Sequence, residues 1–324
     1  MTDPIRRDFE AFVVAAAFID GVPAFALGDG TVRFPGAEDT QVQAHKGSVL
    51  VAVPALDGKS LVTGGDDGRV ARIAGDGTVE TLSEKPRKWI DILATGPNGA
   101  VAFASGRTAW VRFADGSERG IEMARGIGAL AFAPKGMRLA VAHVDGVTLL
   151  FPNTDSTPQT LDWKGAHLGV TFSPDGKFVM TSMQEPQLHG WRLADRDNIR
   201  MSGYPSKIKS WSWSAKGRFL ATSGAGSAIL WPFHIGGGPS GKSPLQVSPR
   251  QELVTCVACH PREDIVAVGY EDGRLVVARF DDDDLVEVEE PSGAAVSALA
   301  FDKRGERLAF GTEGGKAGVF QLIV

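Results

Sequence analysis

Apolar residues fall along this chain in short runs of four to eight, rich in Val, Ala, Phe and Leu and separated by small polar turns. LAVAHVDGVTLLF (139–151) and IVAVGYEDGRLVVARF (265–280) are examples. Asp-Gly, Asn-Gly or Lys-Gly pairs bound the runs, and these pairs adopt the positive φ that tight strand connections demand. No segment keeps an i, i+3, i+4 apolar stripe, so the pattern predicts many short strands and very little helix.

The runs repeat. A unit of apolar run, polar turn, apolar run, Gly turn and apolar run is clearest at 169–182 and 48–73. Its first turn is marked by Gly21, Gly58, Gly99, Gly136, Gly176, Gly217 and Gly305, with Glu263 where one further glycine would fall, at spacings of 37 to 46 residues. Its second turn is marked by Gly30, Gly68, Gly106, Gly146, Pro186, Gly226, Gly273 and Gly315, at spacings of 38 to 47. Two independent markers therefore agree on a period near 40 and on eight units. A period of this length with three or four strands per unit is the signature of a propeller blade.

The unit resembles the WD40 repeat over nearly the whole chain. Ala44-His45-x3-Val49 resembles its opening, Ser173-Pro174-Asp175-Gly176-Lys177 its first turn, and Asp67-Gly68, Asp145-Gly146 and Asp272-Gly273 its second. The closing Trp-Asp is missing: Trp191 precedes Arg192 and Trp231 precedes Pro232. The resemblance implies an all-β, single-domain propeller over 1–324, of a divergent kind, in which the buried His–Ser/Thr–Asp–Trp network of the family is incomplete wherever its residues are absent. Eight blades of about four antiparallel strands are favoured, with seven as the fallback. The last unit lacks an outer strand, which residues near 3–9 are expected to supply.

Composition narrows this picture. Glycine makes up 40 of 324 residues, about 12% against a usual share of about 7%; with no Gly-X-Y period or low-complexity tract, the excess excludes collagen and disorder. Net charge is −5, which offers no global field to nucleic acid or anionic lipid. No stretch approaches the roughly 20 apolar residues of a membrane span. The expectation is a cytoplasmic, bacterial, monomeric protein with no nucleic-acid or membrane partner.

Two strings invite chemistry. Cys256-Val257-Ala258-Cys259-His260 has haem-attachment spacing, but it lies along a first strand, where Cys256 and Cys259 point to opposite sides. The other histidines, 45, 143, 167, 189 and 234, fall in different units, so no converging metal set is expected. Gly236-Gly237-Gly238-Pro239-Ser240-Gly241-Lys242-Ser243 formally matches a phosphate loop, yet Pro244 and Pro249 forbid the helix such a cradle needs. The Gly/Pro-rich loop 235–250, with Phe233 and Lys242, is instead an insertion or a contact element. The run Asp281–Asp284 with Glu287, Glu289 and Glu290 reads as a solvated loop and outer strand, with calcium a weaker reading. No catalytic residue, cofactor or metal is expected.

Binding has the better case. In the WD40 arrangement, loops joining an outer strand to the next first strand share one face. Here they would gather Lys46, Arg87, Lys88, Arg125, Lys164, Lys207 and Lys209 beside Trp89, Trp163 and Trp211. Arg and Trp are favoured at binding hot spots, and a local basic rim suits an acidic partner. The chain is read as a non-catalytic platform for a protein or peptide; the alternative is a propeller enzyme or metal-binding protein with a site at the channel mouth.

Overall fold

The computed structural model describes residues 4–235, 237–280 and 285–322. Among them the only helix is the single 3-10 turn Pro97–Gly99, and none is long and apolar enough to cross a membrane. Everything else regular is antiparallel strand.

Seven hydrogen-bonded sheets follow one another along the chain, each with sequence neighbours paired as spatial neighbours. Val13–Ile19, Val22–Leu27, Thr31–Phe34 and Thr40–Gln43 make the first. Val49–Pro54, Ser60–Gly65, Arg69–Ala74 and Val79–Glu84 make the second; Ile92–Thr95, Val101–Ser105, Thr108–Arg112 and Glu118–Glu122 make the third. A six-stranded sheet comes next, built from Ile127–Phe132, Leu139–Leu150, Gln159–Phe172, Phe178–Met183, Leu188–Arg192 and Asp197–Met201. Trp211–Trp213, Phe219–Thr222, Ala228–Pro232 and Leu245–Val247 form the fifth, and Val254–Cys259, Ile265–Tyr270, Leu275–Arg279 and Leu285–Glu289 the sixth. The last contains Val296–Phe301, Arg307–Thr312 and Lys316–Gln321. Its fourth strand is Ile5–Asp8, paired Ile5 to Val319 and Asp8 to Lys316.

The six-stranded sheet doubles back on itself. Leu139–His143 pair with Ile127–Phe132, while Val144–Leu149 pair with residues 159–166. His143 Nε2 lies 2.9 Å from Thr148 Oγ1. Five residues of straight strand would hold these side chains about 17 Å apart. The chain therefore reverses at Asp145-Gly146, where φ is 71° and 149°. The strand Gln159–Phe172 likewise turns at Lys164-Gly165, bringing His167 Nε2 to 2.9 Å from Trp163 O.

The repeat markers behave as turns. All seven first-turn glycines have φ between 62° and 79°. At the unit lacking one, His260 does the work: its Nδ1 accepts the backbone N–H groups of Arg262 at 3.2 Å and Glu263 at 2.8 Å.

Inner strands such as Ser60–Gly65, Phe178–Met183 and Ile265–Tyr270 are buried along their whole length, whereas the outer strand Glu118–Glu122 alternates exposed and half-buried. Sheets stacked on both sides explain the continuous apolar runs of the sequence, because a strand covered on both faces loses its alternation.

Contacts divide the chain into two compact units, one of 1–28, 33–40 and 203–324, the other of 29–32 and 41–202. In the second, Val62, Val70, Leu82, Ile90, Leu93, Val101 and Phe103 form a core between the sheets of 49–84 and 92–122. Full burial of each large side chain there contributes roughly 1.5–3 kcal/mol. In the first, Val13, Phe25, Leu27, Ala298, Ala309, Ala317 and Val319 do the same.

Candidate functional site

The 49–84 sheet carries a buried polar chain at one end. His45 Nδ1 donates to Asp67 Oδ1 at 2.9 Å, and Nε2 accepts from the Thr63 hydroxyl at 2.8 Å. A carboxylate can only accept, so Asp67 fixes this tautomer. Burial drives the His45 pKa down against the pull of Asp67, which keeps the ring neutral. Burial also opposes ionisation of Asp67, but hydrogen bonds from His45 and from the backbone of Lys46 and Arg69 prevail and hold it below the usual carboxylate value.

Lys46 is exposed there, its N–H bound to Asp67 Oδ2 at 3.0 Å. Beside it, Lys88 N donates to Lys85 O at 3.1 Å, closing a turn whose central residues are Pro86 and Arg87. Arg87 has φ 64°. Proline followed by a positive-φ residue is the type II pattern, which favours Gly or Asn where Arg87 stands. A side chain in that region costs roughly 1–3 kcal/mol and persists only where the surroundings impose it. Gly68 is part of the imposition: a Cβ added to it would meet Lys85 O at 2.2 Å and Lys88 O at 3.0 Å. The result is three consecutive exposed side chains, Arg87, Lys88 and Trp89, the indole 67% exposed.

The six-stranded sheet repeats the arrangement more weakly. Arg125 pairs with Asp145 at 3.2 Å, and Gly165 N donates to the same carboxylate at 3.1 Å. Lys164 is exposed, in a bend within a continuous strand rather than in a loop. Asp66, Asp67 and Asp145 thus temper the basic rim of this unit, a feature the sequence reading left out. It also left out Leu168 and Val144, exposed apolar residues near Lys164. Their signal was an apolar side chain beside a turn.

In the unit containing 203–324, Lys207 and Lys209 are exposed and Trp211 is half-buried. Their loop is tied to Ser223, whose Oγ accepts Lys209 N at 3.2 Å and Ser210 N at 3.0 Å. Tyr204 here takes the place of the absent opening histidine: Trp231 Nε1 donates to its hydroxyl at 2.6 Å, and that hydroxyl lies 2.7 Å from Thr222 Oγ1.

The remaining candidates turn inward. Phe233 is buried edge-on against Trp213 at 4.7 Å, and Lys242 Nζ donates to Ile235 O and Gly238 O, both at 2.8 Å, inside its own loop. Gly236 and Asp281–Asp284 lie outside the described residues. Trp163 stacks on His189 at 3.9 Å and is part of the interior. Burial pushes the thiol of Cys256 up to about 11 and that of Cys259 to about 12. His260 Nε2 donates to Gly305 O at 3.1 Å, so both its nitrogens serve turns.

One expectation needs correcting. His143, His167 and His189, placed in different units by the sequence, lie in one six-stranded sheet, with the rings of His167 and His189 6.4 Å apart. They separate through their partners: His143 Nδ1 binds Val144 O, His167 Nε2 binds Trp163 O, and His189 Nε2 binds Asn198 Oδ1. Among the described residues no group of three His, Cys, Asp or Glu is placed to hold a metal ion.

The geometry can be set beside known proteins. The family model of the anaphase-promoting complex subunit 4 WD40 domain matches residues 257–322. The crystal structure of the computationally designed Ika8 protein superposes with a TM-score of 0.78 at 18% identity, covering 98% of each chain. The chain folds as a WD40-type β-propeller. No curated protein matches its sequence. The stretch that the family model matches does not include the His45–Thr63–Asp67 chain or the Lys85–Trp89 turn.

Proposed function

We propose that this propeller is a non-catalytic interaction platform that presents the loops around Lys46, Arg87, Lys88 and Trp89, with Arg125, Lys164, Lys207, Lys209 and Trp211, to an acidic protein or peptide. WD40 propellers are generally protein-interaction scaffolds and typically not enzymes. The observation that carries the reading is the strained turn that holds Arg87 at positive φ next to a 67% exposed Trp89. Strain tolerated at an exposed loop, and a large indole left in water, both favour contact over packing.

The finer architecture proposed is one domain of eight blades. It is supported by the reversal at Asp145-Gly146 and the bend at Lys164-Gly165, which let the six-stranded sheet supply two four-stranded blades. An experimental density map with seven blades would overturn it.

The platform is tested by affinity capture with the full chain and with Trp89→Ala and Arg87→Glu. Both positions are exposed, so thermal stability should stay nearly unchanged. Proteins retained by the wild type should be lost from both variants. Undiminished capture removes the reading.

A further inference from the structure

We propose that Lys85 and Glu118 are positioning residues for the Trp89 turn: together they form a latch that holds its leading foot from the neighbouring sheet and, on the reading of that turn as a contact element, set what it offers a partner. Both residues lie in the unit of 29–32 and 41–202. Lys85 follows the outer strand Val79–Glu84 of one sheet, whereas Glu118 opens the outer strand Glu118–Glu122 of the next.

The backbone of Lys85 belongs to the turn. Its N–H donates to Gly68 O at 2.8 Å, and its carbonyl accepts the Lys88 N–H at 3.1 Å, the bond that closes the turn around Arg87. Its side chain belongs to the next sheet. Nζ donates to Glu118 Oε1 and lies over two ring faces, 5.1 Å from the centroid of Trp110 and 5.8 Å from that of Phe103, which stack on each other. An ammonium within about 6 Å of a ring face is attracted to it, most strongly by indole. Glu118 is itself held, because Oε2 accepts from the Ser83 hydroxyl at 2.8 Å. One carboxylate thus grips the approach to the turn at two residues. Arg112 adds a third crossing, from Nε to Leu82 O at 2.7 Å.

Exposed ion pairs contribute little, because two long side chains lose freedom to make them. This pair differs. Its side chains are only 22% and 23% exposed, and the ring faces confine the ammonium where the carboxylate meets it. The turn needs such an anchor. Arg87 at φ 64° is strained, and strain persists only where the surroundings over-determine it. Gly68 crowds the turn, and the latch fixes the residue whose carbonyl closes it. Released from Glu118, Lys85 O can swing away from the Lys88 N–H, and Arg87 relaxes.

The test is amide exchange followed by NMR on the full chain, with the Lys88 N–H as reporter. In Lys85→Met, which keeps the stem and drops the charge, and in Glu118→Gln, that amide should exchange roughly tenfold faster. The amides of the buried strand Ser60–Gly65 should keep their wild-type rates. The double variant should be no faster than either single one, since both break the same contact. Lys85→Arg restores a cation over the rings and should stay within about twofold of the wild type. The latch is overturned if Lys88 exchanges at the wild-type rate in both single variants, if their effects add, if Lys85→Arg is as fast as Lys85→Met, or if Ser60–Gly65 accelerate along with Lys88. No partner takes part in these rates, so the latch can fail while the platform stands, and the platform can fail by capture while the latch stands.

Discussion

Trp231 and Tyr204 are joined by a 2.6 Å hydrogen bond from indole to phenol, and Tyr204 passes the chain on to Thr222, whose hydroxyl reaches Ile229 O at 3.0 Å. Both ends of the chain are buried, and the phenol oxygen is the acceptor for the Trp231 indole N–H, which would otherwise be orphaned. Tyr204→Phe should destabilise the protein by about 1–3 kcal/mol in urea unfolding, with little change in the slope against denaturant. A change within a few tenths of a kcal/mol would show that the hydroxyl is dispensable.

Stability should fall in mild acid. Burial, chiefly, lowers the His189 pKa from 6.5 to about 4. A depressed histidine is neutral when folded but takes up a proton near pH 6.5 when unfolded. Its contribution is therefore present above pH 6.5 and is lost progressively as pH falls towards 4, by at most about 1.4 kcal/mol per pH unit. NMR titration of the imidazole should show His189 uncharged until close to pH 4; a midpoint near 6.5 would contradict its burial.

Gly68→Ala should weaken partner capture without touching a contact residue. The added Cβ would press on Lys85 O and Lys88 O, and φ is +80° at this position. The turn that sets Arg87 and Trp89 must then shift. Capture falling as far as in Trp89→Ala, with the protein still folded by circular dichroism, is the expected result.

The two thiols should be inert in the native protein. With values of about 11 and 12, almost no thiolate exists at pH 8. Iodoacetamide should label neither Cys256 nor Cys259 until urea is added, and then both. Rapid native labelling at pH 8 would reopen a redox role.

The turns of the fold were legible because glycine leaves a mark wherever φ must be positive: Gly21 and Gly305 sit in equivalent turns nearly three hundred residues apart. Ile5–Asp8 was legible through a deficit, the missing outer strand of the last unit. Tyr204 was not, since a phenol doing an imidazole's work changes the residue type while keeping the hydrogen bond. Nor was the burial of Phe233 or the tethering of Lys242 to Ile235 O and Gly238 O, because a loop's composition does not say which partners its side chains find. The gathering of His143, His167 and His189 was hidden because Asp145-Gly146 and Lys164-Gly165 fold within strands that run on without a break. Arg87 stands out in the sequence by its charge alone; the strain at its backbone is visible only in three dimensions.

The pairing of Ile5–Asp8 with Lys316–Gln321 has a consequence for synthesis. A ribosome releases the first of these strands long before its partner. Until then Ile5–Asp8 has no mate, and once the strand Lys316–Gln321 appears it presents an unpaired edge to whatever is nearest. A chain stopped short of residue 316 thus leaves Ile5–Asp8 without its partner strand, and unpaired strand edges of this kind are prone to aggregate.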